Sequence, residues 1–274
     1  MSLTIPMKIP SPEQDKDSFI QAHTFDLKRG RPSPEAVCES VRMHGLAILR
    51  NCLNPSGLQE PLAALNQWYL TTRQDNADGK HNWRFENGTN LPSERFIQFI
   101  AGSYYTDVAK AYYGCSASEV LIPTNRIMLR IRDEYTNAML FKTNGVHNFH
   151  QDYVYVPHGL ALNAWVPLTK VDAQCMGLSF VLPFTGEVYS PPPDIHKIMQ
   201  ETNGFIIMPK MDIGDMILFN HKTLHGTFNT LEKKGPRMSI EFRSGTSKAM
   251  GPGKIAKEEQ LLQFPGEDNY FLHL

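Results

Sequence analysis

The chain has 274 residues, of which 41% are hydrophobic, and its 27 basic and 28 acidic residues give a formal charge of −1. This length and composition suffice for a full hydrophobic core, in one large domain or two small ones. The balanced charge argues against nucleic-acid and membrane-surface partners. Four scattered cysteines and the lack of a long apolar run predict a cytoplasmic protein with reduced thiols.

The chain is expected to begin with an arm and a helix. Residues 1–30 are polar and contain prolines, which favours an extended arm lying over the body. A helix is predicted over 34–44, with Ser33 as its N-cap and Gly45 as its stop. The apolar run at 46–50 directly after it predicts a buried strand.

Two further helices and a loop complete the first half. Asn54 is predicted to cap an amphipathic helix, and another helix is predicted over 94–113, ending at Gly114. Between them, the polar stretch 75–90 predicts a long loop of the kind that often serves as a lid or binding loop.

From Val120 onward, short runs of β-forming residues alternate with glycine, proline, asparagine and aspartate. The predicted strands are 127–131, 149–156, 160–167, 178–182, 205–208, 216–219, 224–228 and 238–242. About eight strands preceded by helices predict a mainly β protein, a double-sheet jelly roll with flanking α-helices outside it.

No internal repeat, low-complexity tract or linker divides the chain. We therefore expect a single domain over 1–274. Its parts are mainly helical N-terminal support (1–119), a jelly-roll core (120–245) and a C-terminal tail (246–274).

His150 and Asp152 lie two positions apart in the predicted strand 149–156. Residues at this spacing on a strand share a face, whereas Gln151 between them points the opposite way. An imidazole and a carboxylate supply two ligands of a facial metal site, which needs a third ligand from elsewhere in the chain. With ten histidines in the chain, one such pair is about what chance provides.

The best candidate for the third ligand is His225, which begins a predicted strand, rather than the nearby His221. If a hairpin is centred near Leu231, Arg237 becomes the cross-strand partner of His225, with their Cα atoms about 5 Å apart. Two imidazoles, one carboxylate and open positions favour non-haem Fe(II). A guanidinium within reach suits the far carboxylate of a dicarboxylate cosubstrate.

Two parts of the sequence share a further pattern. The run 214–219 is followed by 224–227 and Arg237, and the run 150–153 is followed by the predicted strand 180–183. In these runs, over about residues 120–245, the chain resembles the phytanoyl-CoA dioxygenase family of Fe(II)/2-oxoglutarate-dependent oxygenases.

The resemblance implies a cupin-like double-stranded β-helix that uses Fe(II), the cosubstrate 2-oxoglutarate and O2. The implied iron ligands are His150, Asp152 and His225. Arg237 matches the arginine that pairs with the distal carboxylate of the cosubstrate, and Thr227 and Asn163 stand where family members contact it. Arg243 is the alternative anchor. It shares strand parity with Arg237 but lies six residues further on, so we expect it to lie away from the iron.

The segment 183–187 departs from the family's usual turn, and this departure bears on the mouth of the cavity. Candidate substrate-lining residues are His147, Tyr153, Tyr155, Trp83, Phe85 and Arg126. Arg126 shares one face of a predicted strand with Arg130 and Arg132, and such a charged face is typically solvated.

The implied reaction is hydroxylation of an unactivated C–H bond of a small-molecule metabolite, with release of succinate and CO2. Halogenating relatives replace the carboxylate ligand by a small residue, so Asp152 favours hydroxylation. The alternative is a non-catalytic or cosubstrate-independent metal-binding jelly roll of the cupin type. The sequence identifies neither the substrate nor the oligomeric state.

Overall fold

The computed structural model describes residues 12–73, 99–100, 102–123, 127–132, 149–154, 159, 161–172, 175, 177–191, 193–227, 237–250 and 271–273. The helices are α1 (Pro12–Ala22), α2 (Pro34–His44), α3 (Gln59–Arg73), α4 (Tyr104–Tyr113), α5 (Ile195–Thr202) and α6 (Ser247–Met250). Short 3-10 helices span Pro55–Leu58, Ala117–Glu119 and Asp152–Val154. None of the described helices has the length and apolar character needed to cross a membrane.

Eleven strands are present among the described residues. They are β1 (Thr24–Asp26), β2 (Leu46–Arg50), β3 (Val120–Pro123), β4 (Met128–Arg132), β5 (Leu162–Pro167), β6 (Leu178–Leu182), β7 (Phe205–Ile207), β8 (Met216–Asn220), β9 (His225–Thr227), β10 (Arg237–Thr246) and β11 (Phe271–His273). The predicted strands agree with these within a few residues, except 149–156. β10 is twice as long as predicted.

Helix α2 begins and ends where its sequence signals lie. The Ser33 hydroxyl accepts a hydrogen bond from the Ala36 amide at 3.2 Å, which satisfies a free N–H of the first turn. Gly45 ends the helix with φ of 85°, a left-handed conformation that glycine adopts without steric cost. A Cβ at Gly45 would also come within 2.8 Å of the Phe184 ring. The prediction for this helix and for β2 is confirmed.

The prediction of an extended N-terminal arm is wrong over residues 12–26. This part forms α1 and then β1, which pairs parallel to β2. Phe19 and Ile20 are partly buried against the interior, and the Phe19 ring meets Phe205 of β7 edge-on at 6.3 Å. These apolar contacts hold α1 on the body, because they remove apolar surface from water.

The other two predicted helices differ in where they begin. Asn54 caps a 3-10 turn by accepting from the Ser56 amide at 3.1 Å, and α3 follows that turn. Helix α4 begins at Tyr104 with Ser103 as its N-cap, and residues 94–98 of the predicted helix lie outside the described residues. It ends, as predicted, at Gly114 in the left-handed conformation.

The strands form two sheets. The large sheet has the order β1-β2-β8-β5-β10-β3-β11, with β4 also paired to β10. The small sheet has the order β7-β6-β9. The two sheets form the predicted jelly roll, the double-stranded β-helix.

The outer face of the large sheet is apolar and covered by α2 and α4. Met238, Ile240 and Phe242 of β10 lie in one buried cluster with Val41 of α2 and Val108 of α4. We call the opposite side, which carries Arg237, Ser239, Glu241 and Arg243 of β10, the inner face. It looks toward the small sheet across a second apolar cluster that includes Trp165 and Phe180.

Candidate metal centre

Two of the predicted ligands are paired directly through their backbones. The His150 amide donates to the His225 carbonyl at 2.9 Å, and the His225 amide donates back to the His150 carbonyl at 3.0 Å. In such a hydrogen-bonded antiparallel pair both side chains lie on the same face. The two imidazole rings are accordingly neighbours, with centroids 4.4 Å apart.

Asp152 reaches the same point by a different route from the one predicted. The expected strand over 149–156 is wrong, since His150 makes a single β-bridge and Asp152–Val154 is a 3-10 helix. The Val154 amide bonds back to the Gln151 carbonyl at 3.3 Å, which turns the chain before a ladder can extend. Asp152 is nevertheless brought against both histidines.

The three side chains form a compact cluster. Asp152 Oδ1 lies 3.6 Å from His150 Nε2, and Asp152 Oδ2 lies 3.9 Å from His225 Nε2. One ligand atom from each of the three residues can be chosen so that all lie within 4.8 Å of one another. Two imidazole nitrogens and a carboxylate at this spacing match the facial triad of non-haem iron sites.

The orientation of His225 is set by the turn before it. Its Nδ1 lies 2.9 Å from the Thr223 carbonyl, so Nδ1 carries the proton and Nε2 is left for a metal. Thr223 is itself held because its hydroxyl donates to the Gly45 carbonyl at 2.8 Å. The end of α2 thus positions a metal ligand 180 residues later in the chain.

Gln151, between the first two candidate ligands, forms hydrogen bonds to the backbone of neighbouring segments. Its side-chain amide donates to the Glu187 and Lys222 carbonyls, both at 2.6 Å, and its carbonyl accepts from the Tyr189 amide at 2.8 Å. Gln151 therefore supports the segment 187–189 and the backbone at Lys222, although the strand from which its orientation was predicted is not formed.

Arg243 contacts the metal centre, contrary to the prediction that it lies away from the iron. Its Nε and Nη2 both donate to Asp152 Oδ2, at 2.9 and 2.7 Å. The same Nη2 donates to Glu241 Oε1 at 2.6 Å. The prediction failed because it placed the metal at the Arg237 end of β10, whereas Asp152 lies at the other end.

Arg130 extends this arrangement. Its Nε lies 3.1 Å from Glu241 Oε2, and its side chain is only 13% exposed. The expectation of a solvated face is therefore wrong for Arg130, which forms an ion pair on the inner face. Together Asp152, Arg243, Glu241 and Arg130 make a buried chain of alternating charge.

The charges in this chain shift one another's pKa. Burial raises the pKa of Asp152, but the Arg243 charge, the His150 hydrogen bond and the His225 charge outweigh burial and hold the pKa well below its usual range. Burial and the neighbouring His150 lower the pKa of His225 to about 4. At neutral pH Asp152 is therefore ionised and His225 is neutral, the forms that bind metals.

The predicted anchor Arg237 is buried but is not a ladder partner of His225. Arg237 pairs with Arg132 in the large sheet, whereas His225 pairs with Phe180 in the small sheet. The hairpin prediction is wrong because the chain passes from one sheet to the other between them. The Arg237 guanidinium packs over the Trp165 ring at 5.5 Å.

Asn163 and Thr227, the other predicted cosubstrate contacts, are also turned inward. Asn163 of β5 is fully buried and lies opposite Arg243 of β10. Its side-chain amide oxygen and nitrogen have no hydrogen-bond partner within the described part of the chain. Thr227 is 6% exposed and lies two residues after His225 on β9, hence on the same face. The structure thus places both residues inside the jelly roll.

Of the predicted substrate-lining residues, Tyr153 lies next to the metal ligand Asp152 in the 3-10 helix. Its ring centroid lies 5.1 Å from that of His221 and 5.3 Å from Lys222 Nζ. The other five predicted residues, His147, Tyr155, Trp83, Phe85 and Arg126, lie outside the described residues.

Several solved structures share this fold at low sequence identity. The non-heme alpha ketoglutarate dependent epimerase SnoN from nogalamycin biosynthesis is 16% identical, with a TM-score of 0.56 over 86% of this chain and 90% of that one. The carbocyclase SnoK from the same biosynthesis is 12% identical, with a TM-score of 0.55 over 88% and 96%. EctD from S. alaskensis is 16% identical, with a TM-score of 0.53 over 77% and 76%.

No curated protein matches the chain at the sequence level. A family model, described as phytanoyl-CoA dioxygenase, matches residues 41–239, which hold all three candidate ligands. With more than half of its length matched, the chain belongs to the phytanoyl-CoA dioxygenase family.

Proposed function

We propose that the protein is an Fe(II)- and 2-oxoglutarate-dependent dioxygenase that hydroxylates an unactivated C–H bond of a small-molecule metabolite. The observation that carries the proposal is the cluster of His150, Asp152 and His225 on the inner side of a chain that belongs to this family. Two of the structural relatives, an epimerase and a carbocyclase, are also alpha ketoglutarate dependent but are named for other reactions.

The donor set fits iron. Two imidazoles and one carboxylate on one side of an ion leave its remaining positions open, which is the arrangement associated with Fe(II) oxygenases. The tautomer of His225 is fixed by the Thr223 carbonyl, and Asp152 is kept ionised by Arg243. When bound, Fe(II) supplies O2 activation coupled to decarboxylation of 2-oxoglutarate to succinate and CO2.

Three inward-facing residues are assigned to the cosubstrate. Arg237 is the proposed anchor of the distal carboxylate, because its planar guanidinium matches a carboxylate with two parallel hydrogen bonds. Asn163 is a second contact, since a buried amide normally finds partners and a bound ligand would supply them. Thr227 offers a hydroxyl on the same face as the metal ligand His225.

Packing between the two sheets also holds the site in shape. The inner face meets the small sheet across buried Trp165 and Phe180. A buried, preorganised interior strengthens electrostatic contacts to a bound dicarboxylate. Hydroxylation is preferred to halogenation because the Asp152 carboxylate occupies the third ligand position.

The proposal is tested by measuring succinate formed from 2-oxoglutarate with Fe(II) and O2, with and without a broad panel of small-molecule substrates. We expect iron-dependent turnover and a product that is heavier than its substrate by one oxygen atom. A product of unchanged mass, or one lacking two hydrogens, would replace hydroxylation by epimerisation or cyclisation. No turnover on any substrate together with no calorimetric binding of 2-oxoglutarate would favour the non-catalytic alternative.

The anchor is tested separately with Arg237→Ala and Arg237→Lys. Arg237→Ala removes the guanidinium, whereas Arg237→Lys keeps the positive charge but loses the two parallel hydrogen bonds. Both variants should raise the 2-oxoglutarate concentration needed for half-maximal turnover, and Arg237→Ala should raise it more. Arg29→Ala is the matched control, because Arg29 is 88% exposed on the outside. Unchanged cosubstrate dependence in Arg237→Ala would rule Arg237 out as the anchor.

A further inference from the structure

We propose that Arg243 is a positioning residue that makes Asp152 bind the metal through one oxygen only. The inference rests on the proposed iron and 2-oxoglutarate chemistry and assigns a residue that lies beyond the segment 41–239 matched by the family model. Its basis is the way in which the two oxygens of the Asp152 carboxylate are used.

Arg243 engages a single oxygen of Asp152. Both of its contacts, from Nε at 2.9 Å and Nη2 at 2.7 Å, end on Oδ2. The other oxygen, Oδ1, is the one that lies 3.6 Å from His150 Nε2. Two charge-assisted hydrogen bonds occupy lone pairs of Oδ2 that a metal would otherwise use, whereas Oδ1 stays available.

The distinction matters for the number of open positions on iron. Two histidines and one carboxylate oxygen would fill three of the six positions of a bound iron. Three remain, which is the number that a chelating 2-oxo acid and O2 require together. A carboxylate bound through both oxygens would fill one more position and compete with the chelate.

Arg243 is itself held in place. Its Nη2 also donates to Glu241 Oε1 at 2.6 Å, and Glu241 Oε2 lies 3.1 Å from Arg130 Nε. Arg243 is 5% exposed and Glu241 is 3% exposed, so neither can exchange its partner for bulk water. With two acids and two arginines, the chain of four has no net charge, which offsets the cost of burying it.

The test uses the full-length protein and the variants Arg243→Gln, Arg243→Lys and Glu241→Gln. Co(II) is titrated into each metal-free protein, and the visible absorption, which depends on the coordination number, is recorded. Fe(II) and 2-oxoglutarate are then added without O2, and the charge-transfer band of the chelated 2-oxo acid is measured. Thermal unfolding of each variant is measured alongside.

For Arg243→Gln we expect one metal per chain, a changed Co(II) spectrum and a dissociation constant for 2-oxoglutarate raised about 10-fold or more, the scale for groups that orient metal ligands. Arg243→Lys keeps a charge but donates from one atom, so its dissociation constant for 2-oxoglutarate should lie between those of the wild type and Arg243→Gln. Glu241→Gln leaves Arg243 on Asp152 and should have the smallest effect. If Arg243→Gln does not fold, Arg243→Lys decides by the same readouts.

A purely structural role predicts lower thermal stability with an unchanged Co(II) spectrum and unchanged 2-oxoglutarate affinity, and that result would overturn the inference. The Co(II) readout needs no cosubstrate. If the wild-type protein bound metal but not 2-oxoglutarate, the proposed function would fail while the role of Arg243 could still be read from the Co(II) spectra.

Discussion

The two faces of β10 are both buried but differ in their chemistry. Its outward residues Met238, Ile240 and Phe242 are buried under helices in a continuous apolar cluster. Its inward residues Ser239, Glu241 and Arg243 are equally buried but polar or charged. Since successive residues of a strand point to opposite faces, one strand serves the core and the metal centre at once.

The difference teaches where stability and chemistry reside. Burying an apolar side chain contributes about 1.5–3 kcal/mol, with no requirement on direction. Burying an ion pair gains little or costs stability unless its geometry is well satisfied. We therefore expect the outer face to determine whether the chain folds and the inner face to determine what it binds.

The largest expected effect on activity comes from removing a metal ligand. His225→Ala should abolish iron-dependent turnover, because two ligands do not hold Fe(II) in the required geometry. Metal content and succinate formation measure this. The control is His196→Ala, a change at an exposed histidine on α5, which should keep both. Retained iron and turnover in His225→Ala would place the metal elsewhere.

The largest expected effect on stability comes from the other face. Phe242 is 1% exposed and packs edge-on against Tyr105 with ring centroids 5.0 Å apart. Phe242→Ala should lower the free energy of unfolding by about 3–5 kcal/mol, the usual cost of deleting a buried aromatic ring. Chemical denaturation measures it. Metal affinity per folded molecule should stay unchanged, and a loss there would show that the two faces are not separable.

Acid should act through the inner face. Burial and His150 lower the pKa of His225 from 6.5 to about 4, so below pH 6.5 the unfolded chain takes up a proton that the folded chain resists. Burial raises the pKa of Glu241, but Arg130 and Arg243 outweigh it and lower that pKa, as Arg243 does for Asp152. Carboxylates with lowered pKa stabilise the fold above their unfolded pKa, and this stabilisation is lost as pH falls further.

His225 therefore predicts a loss of stability between pH 6.5 and 4, and Asp152 and Glu241 predict a further loss below about pH 4. The metal-free protein should lose stability as pH drops from about 6.5 to 4, with His225 accounting for roughly 3 kcal/mol. Thermal unfolding across this range measures it. Phe242→Ala should give a curve that is lower but parallel. In His225→Ala the loss between pH 6.5 and 4 should be smaller, and an equally steep curve would assign it to other groups.

The sequence predicted well whatever depended on local patterns. Ser33 and Gly45 placed α2, and runs of β-branched and aromatic residues placed most strands. The three candidate ligands were predicted because residue type and a family pattern agreed, and the structure brings them together. Strand parity also predicted that Gln151 points away from the metal; its side chain does bind other segments, but it lies next to a 3-10 helix and not within a strand.

The sequence did not predict how distant segments meet. The predicted pairing of His225 with Arg237 assumed that their strands form one hairpin, but the two strands belong to different sheets. The same error put Arg243 far from the metal. The signal that could have corrected it was the pattern at 237–243, in which polar residues alternate with Met238, Ile240 and Phe242. Such alternation on a buried strand indicates paired charges inside.

The smallest expected effect concerns the polar contacts on the outer face. The Tyr105 hydroxyl donates to Ser244 Oγ at 2.6 Å, whereas the Tyr113 hydroxyl donates to the Ser244 carbonyl and accepts from the Leu162 amide at 3.0 Å. Tyr105→Phe leaves a serine hydroxyl that still lies 3.4 Å from Tyr113, so it should cost about 0.5–1.5 kcal/mol. Tyr113→Phe leaves two backbone groups without this partner and should cost about 1–3 kcal/mol.

Denaturation of both variants tests whether Tyr113→Phe costs more than Tyr105→Phe, and 2-oxoglutarate affinity is measured for each variant as well. A weaker cosubstrate affinity in Tyr105→Phe would mean that polar groups on the outer face also reach the chemistry, because β10 would then transmit the change from Ser244 to Arg243 next to it.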